Sequence, residues 1–154
     1  MPYRRILLIA AAAALAAGTT ALAGPGEDER AIRAHIERHY FDGVRRADTA
    51  LAHGAFHPVA VMYFVRDGGF AQRSIPDWLG GIAKHAAETP GPDKVERRVL
   101  SVDVTGFAAV AKLELKSPEA VLTDYMSLLK VNGEWTIVGK IFDRQPGAAR
   151  AAGR

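Results

Sequence analysis

The chain has 154 residues, with 20 Lys+Arg against 17 Asp+Glu, a formal charge of +3, 49% hydrophobic residues and no cysteine. That length and composition fit one domain with a single core. The missing thiols exclude a disulfide framework, thiolate catalysis and cysteine-based zinc sites, and so small a charge excess argues against a nucleic-acid-binding face.

Residues 1–23 read as a cleaved secretory signal. Arg4 and Arg5 form a basic start, Ile6-Leu7-Leu8-Ile9 opens an apolar stretch, and Ala21-Leu22-Ala23 supplies the small residues of a cleavage site. Removing that leader would leave 131 residues and lower the charge to +1, because both charges lost are arginines. With no lipid-acceptor cysteine behind it, the expectation is a free periplasmic or secreted protein with no membrane attachment after cleavage. The body, residues 24–145, is expected as one domain, followed by a flexible tail over 146–154 that lacks large apolar residues.

Ile32, Ile36, Tyr40 and Val44 recur every four residues, predicting a helix from Glu27 to about Phe41 that Asp42-Gly43 ends; a second, shorter helix is expected from Arg45 to His53. Val59 to Arg66 is β-branched and aromatic, and Asp67-Gly68 turns it into a hairpin returning to Arg73. Ser74 and Asp77 have the spacing that caps a helix, continued by Trp78, Ile82 and Ala86 and stopped by Thr89-Pro90-Gly91-Pro92. Four strand-like runs follow, from Lys94, Phe107, Val121 and Glu134. In the second, Phe107, Ala109, Ala111, Leu113 and Leu115 share the dry side. Arg97-Arg98, the dense basic pair, is expected on a solvated strand edge. Helices followed by a meander of long strands predict an α+β fold in which a strongly bent sheet wraps around the helices.

Asn132-Gly133 predicts a two-residue hairpin turn that pairs position i with position 265 − i. Parity then groups Leu122, Asp124, Met126, Leu128, Trp135, Ile137, Gly139 and Ile141 on one face, and places Lys140 opposite Tyr125 on the other, with Leu129, Val131, Val138 and Phe142. The first face is apolar except for Asp124, a carboxylate that must find partners if buried. It is the best catalytic candidate: it can accept hydrogen bonds from a ligand or take a proton, or it can be a fixed structural acceptor. The second face is apolar enough to need a cover, which motivates a homodimer packed sheet against sheet.

His35 with His39, and His53 with His57, have i, i+4 spacing, but no glutamate or third ligand accompanies them and no metal site is expected. Gly68-Gly69 and Gly80-Gly81 fit neither a P-loop nor a dinucleotide fingerprint, and no G-x-S-x-G elbow occurs, so neither a cofactor nor a serine nucleophile is expected.

Four segments together resemble a known family: Tyr40-Phe41-Asp42-Gly43; Phe56-His57-Pro58-x-Ala60; Thr123-Asp124-Tyr125-x-x-Leu128-Leu129-Lys130; and Gly133-x-Trp135-x-Ile137-x-x-Lys140. Over residues 28–143 the chain is similar to the NTF2-like, or SnoaL-like, cone domains, and among them to the group named putative lumazine-binding. The resemblance implies a curved mixed sheet with helices in its concavity, a cavity between them and frequent sheet-to-sheet dimers. It implies less about chemistry, since the fold hosts isomerases, dehydratases, hydrolases, cyclases and binding domains. The expected role is binding of a small, largely apolar organic molecule in the cone, with Asp124 as polar anchor and Tyr40, His57, Trp78, Met126 and Trp135 as walls. The alternatives are a cofactor-free isomerase, dehydratase or hydrolase using Asp124 with Tyr40, Tyr63 or His57 as donor, and a dimerising interaction module without ligand.

Overall fold

The computed structural model describes residues 25–148; the predicted leader and residues 149–154 of the predicted tail lie outside them. The chain opens with α1 (Pro25–His35), passes into a wider π-helical stretch (Ile36–Phe41) and continues as α2 (Asp42–Arg45). A stripe repeating every four residues drifts around a regular α-helix, which turns once in about 3.6 residues. The π-helical stretch winds less per residue and takes back that drift, so Ile32, Ile36 and Tyr40 are all buried.

Asp42-Gly43 therefore does not end the helix, and the segment expected as one helix from Arg45 is split. After α2 the backbone turns at Ala47, which has φ 53°, and restarts as α3 (Thr49–His53), capped by Asp48 through a 2.9 Å hydrogen bond from Leu51 N–H. Gly43 is needed for a different reason. A Cβ there would lie 2.5 Å from the backbone nitrogen of Ala52, so glycine lets the chain fold back on itself.

Six strands follow: β1 (Phe56–Arg66), β2 (Gly69–Ser74), then after α4 (Ile75–Glu88) β3 (Glu96–Thr105), β4 (Ala108–Lys116), β5 (Ala120–Val131) and β6 (Glu134–Pro146). Their order in the sheet is β2-β1-β6-β5-β4-β3, with β1 and β6 parallel and every other pair antiparallel. The fold is the α+β cone, a curved mixed sheet with the N-terminal helices against it. The predicted hairpin turns hold: Asp67, Gly68, Asn132 and Gly133 all have positive φ, as such two-residue turns require. Ser74 caps α4, accepting a 3.2 Å hydrogen bond from Asp77 N–H. The predicted tail begins too early, since Pro146 still pairs with Ala120 and Gly147 N–H donates to Glu119 O at 2.9 Å.

Two side chains depart from the predicted faces of the meander. Phe107 is 60% exposed, because it sits in the turn before β4 and not in the strand. The Arg97 side chain is 4% exposed and lies 2.6 Å from Asp93, whereas Arg98 remains at the surface beside Glu114.

The departure that matters most is in the last hairpin. From Val131↔Glu134 to Leu128↔Ile137 the pairing follows the predicted register. A β-bulge at Val138 then inserts one residue, so Ser127 pairs with Gly139, Met126 with Lys140, Tyr125 with Ile141 and Asp124 with Phe142. One extra residue exchanges the two faces for the rest of β6. Ile141, predicted inside, is 55% exposed, and Lys140, predicted outside opposite Tyr125, is 3% exposed.

Candidate functional site

The bulge delivers Lys140 to the same interior point as Asp124 of β5 and Tyr40 of the π-helical stretch. The Tyr40 hydroxyl donates to Asp124 Oδ2 at 2.7 Å. Lys140 Nζ donates to the Tyr40 hydroxyl at 2.8 Å and lies 2.8 Å from the same Asp124 Oδ2. Asp124 is fully buried and Tyr40 nearly so. The ring centroids of Phe142, Tyr40 and Trp78 stand 5.1, 5.2 and 5.3 Å from Lys140 Nζ, so the amine is ringed by aromatic faces.

The valences are not all used. Asp124 Oδ1 is buried without a hydrogen-bond partner among the described residues. An ammonium has three N–H groups, and Tyr40 and Asp124 account for two of those on Lys140. An unsatisfied acceptor and a spare donor thus lie side by side away from water, where a missing partner is costly. Burial pushes the Lys140 amine below the ordinary lysine value, with the Asp124 charge acting the other way. Burial pushes the Tyr40 hydroxyl well above its usual value, with the negative charge of Asp124 adding to the effect.

Of the six expected site residues, the anchor Asp124 and the five walls, four gather here. Tyr40 and Asp124 are bonded to each other, Met126 is the cross-strand neighbour of Lys140, and the half-buried Trp78 of α4 packs 5.8 Å from the Tyr40 ring. His57 and Trp135 lie elsewhere, lining an open cleft of about 530 Å³ with His35, His39 and Glu134. His57, placed in the first residues of β1 and not in the loop before it, accepts at Nδ1 a 3.4 Å hydrogen bond from Val59 N–H of the same strand. His35 Nε2 is 3.0 Å from Ala55 O, and burial holds it below the ordinary histidine value. Among the described residues no group of three or more His, Asp or Glu side chains is arranged to hold a metal ion. A second cleft, of about 490 Å³, is lined by Arg38, Phe41, Asp42, Arg45 and Arg97 among others. Neither cleft is lined by Asp124 or Lys140.

Trp135 plays a structural part instead. Its Nε1–H donates to Asp28 Oδ1 at 3.0 Å, beside Lys130 Nζ at 2.7 Å from the same oxygen. These contacts tie α1 to the β5–β6 hairpin. Sequence reasoning missed Lys140 because a parity count assumes an unbroken strand. The available signal was Gly139, since a glycine inside a strand pattern marks a candidate bulge.

Residues 27–143 match the model of the family described as putative lumazine-binding. The chain belongs to that family. Solved structures of NTF2-like proteins share its fold. An NTF2-like protein of Shewanella baltica OS155 superposes with a TM-score of 0.72 at 25% identity, covering 81% of this chain and 99% of that one. An NTF2-like protein of Silicibacter pomeroyi DSS-3 gives 0.68 at 22% identity, covering 78% and 98%. Among curated proteins, the aldolase FrzH of a Cladobotryum species is 28% identical over 109 residues, 70% of this chain and 84% of that protein.

Proposed function

We propose that the interior of the cone receives a small, largely apolar organic molecule carrying one carbonyl group, and that the domain moves a proton next to that carbonyl without a cofactor. The observation that carries this reading is the unpartnered Asp124 Oδ1 beside the spare N–H of Lys140 in a site shielded from water. A carbonyl oxygen accepts from the spare N–H of Lys140, and the resulting pull on electrons makes the neighbouring C–H acidic. Asp124 Oδ1 is placed to take that proton. Aromatic and aliphatic side chains of the concave face, Trp78, Met126 and Phe142, hold the apolar body. The likeness to an aldolase supports this reading, because aldol chemistry begins by removing a proton next to a carbonyl.

The test uses cyclohexanone in heavy water, followed by NMR, with the fluorescence of Trp78 in a Trp135→Phe background reporting binding. Exchange of the α hydrogens above the buffer rate is expected, falling by about 10² to 10⁴ in Asp124→Asn. Saturable binding that survives Asp124→Asn, with no exchange in the wild type, would make the domain a receptor, the role its sequence alone suggests. Neither binding nor exchange would overturn both.

Two further parts of the reading concern where the domain works. Export rests on the leader pattern of residues 1–23, and the intact mass of protein recovered from its host tests cleavage after Ala23. Homodimerisation rests on the outer face of the sheet, where Tyr63, Val110, Tyr125, Leu129 and Ile141 are each at least 37% exposed. Sedimentation showing only monomer at tens of micromolar would remove it.

A further inference from the structure

We infer that Lys140 is a nucleophile, forming an imine with the carbonyl carbon of the molecule taken into the cone. This rests on the reading of the interior as a carbonyl site and adds a covalent step to it. A lysine serving only as a counter-ion for Asp124 needs no displaced register and is ordinarily found where water can reach the amine. Lys140 instead stands among three aromatic rings, 3% exposed, on a strand whose register is displaced by one residue to bring it there. Replacing a buried ion pair by apolar side chains is often neutral or stabilising, so packing alone gives little reason for this one.

Burial shifts Lys140 toward the uncharged amine, the form that attacks, while Asp124 and the aromatic faces favour the charged form beside it. The charged and titratable groups around it are few. Asp124 comes from β5, Tyr40 from the π-helical stretch, and Arg97 of β3 makes itself felt at Tyr40.

The step balances within these groups. The Nζ lone pair forms a bond to the carbonyl carbon while the C=O π pair moves to oxygen. The two protons that leave Nζ pass through the Tyr40 hydroxyl and the Asp124 carboxylate, each 2.8 Å away, to that oxygen, which departs as water. Amine and carbonyl become imine and water, with no oxidant or reductant. The Tyr40 hydroxyl then protonates the imine nitrogen as Asp124 Oδ1 takes an adjacent C–H proton, and the proton on Asp124 restores the hydroxyl, so the imine becomes an enamine with no net gain or loss of protons; the enamine can attack a second carbonyl carbon. Entry of a molecule requires Trp78, its ring 5.3 Å from Lys140 Nζ, to move aside. It is half-buried, and α4 fully buries only Ile75 and Leu79, so the helix bearing it is lightly anchored.

The experiment treats the full domain with cyclohexanone and sodium borohydride at neutral pH, then maps the modified lysine by peptide mass spectrometry. Borohydride turns an imine into a stable secondary amine. Lys84, Lys94, Lys112, Lys116 and Lys130 are all more exposed than Lys140 and serve as internal controls. The expected result is labelling of Lys140 at least about tenfold above any of the five. Labelling spread over the surface lysines, with Lys140 spared, overturns the inference. If Lys140 stays unlabelled while α-hydrogen exchange persists, the carbonyl reading stands and the covalent step fails; if exchange is absent too, both fail. Because the wild-type protein decides the matter, the outcome does not depend on whether Lys140→Met folds.

Discussion

Two aspartate–lysine pairs in this molecule are built alike and placed differently. Asp28 and Lys130 sit near the rim, 2.7 Å apart, with side chains 9% and 15% exposed, and the indole of Trp135 donates to the same carboxylate oxygen. Asp124 and Lys140 are 2.8 Å apart in the interior, 0% and 3% exposed, with the Tyr40 hydroxyl as the aromatic donor. At the rim the hydrogen bonds from Lys130 and Trp135 dominate, and they hold the Asp28 carboxyl below the usual aspartate value. In the interior, burial dominates, and it lowers the amine despite the carboxylate beside it. The same chemical pair is therefore governed by its hydrogen bonds at one end of the sheet and by burial at the other.

The largest effect that would sharpen this contrast is Asp124→Ala, which strands Lys140 without its counter-charge and should cost about 3–5 kcal/mol in urea unfolding. The double variant Asp124→Leu/Lys140→Met should be more stable than Asp124→Ala, since it removes both charges together. A double variant as unstable as Asp124→Ala would mean that the pair is a structural necessity, and the contrast with the rim would be broken. Next comes Tyr40→Phe, which deletes a donor to Asp124 and an acceptor for Lys140 at once; a loss of about 1–3 kcal/mol is expected in the same assay. Asp28→Asn should destabilise less than either interior change, because the amide oxygen can still accept from Trp135 and Lys130.

The smallest expected effects are in the pH dependence, and the two pairs should act at opposite ends. The depressed Asp28 carboxyl contributes stability that is present above the ordinary aspartate value and is lost as pH falls through its lower folded value, so the loss belongs below about pH 4. Lys140 binds its proton less tightly in the folded chain than in the unfolded one. The unfolded chain thus holds more protons between the lowered value and the ordinary lysine value, and stability rises with pH across that interval. Urea midpoints of the wild type and Lys140→Met between about pH 8 and pH 10 check the second effect: the rise should vanish in the variant. A midpoint that falls with pH in the wild type, and does so less in Lys140→Met, would reverse the assignment.

Much of the fold was legible because local chemistry agrees with the tertiary result. Asp67-Gly68 and Asn132-Gly133 demand positive φ wherever they occur, Ser74 caps its helix through its neighbour Asp77, and the alternation from Ala109 to Leu115 names its own dry face. Asp124 was legible for the same reason, being one carboxylate in an apolar row.

What the chain order could not disclose depends on contacts made at long range. The α-helix passes into a wider winding at Ile36 and runs on to Arg45, where the four-residue stripe is kept against the sheet and Gly43 meets Ala52. The bulge at Val138 forms where β6 pairs with β5 on one side and with β1 on the other, and each of those ladders has its own break in register. Parity along one strand is a local property, but the face a side chain finally shows is decided by every strand it must pair with. The sequence by itself determined the cone, its turns and the inward place of Asp124. Only the tertiary structure decided that a lysine comes to stand beside that acid, because one inserted residue, invisible to a count of twos, turns Lys140 from the outside to the inside.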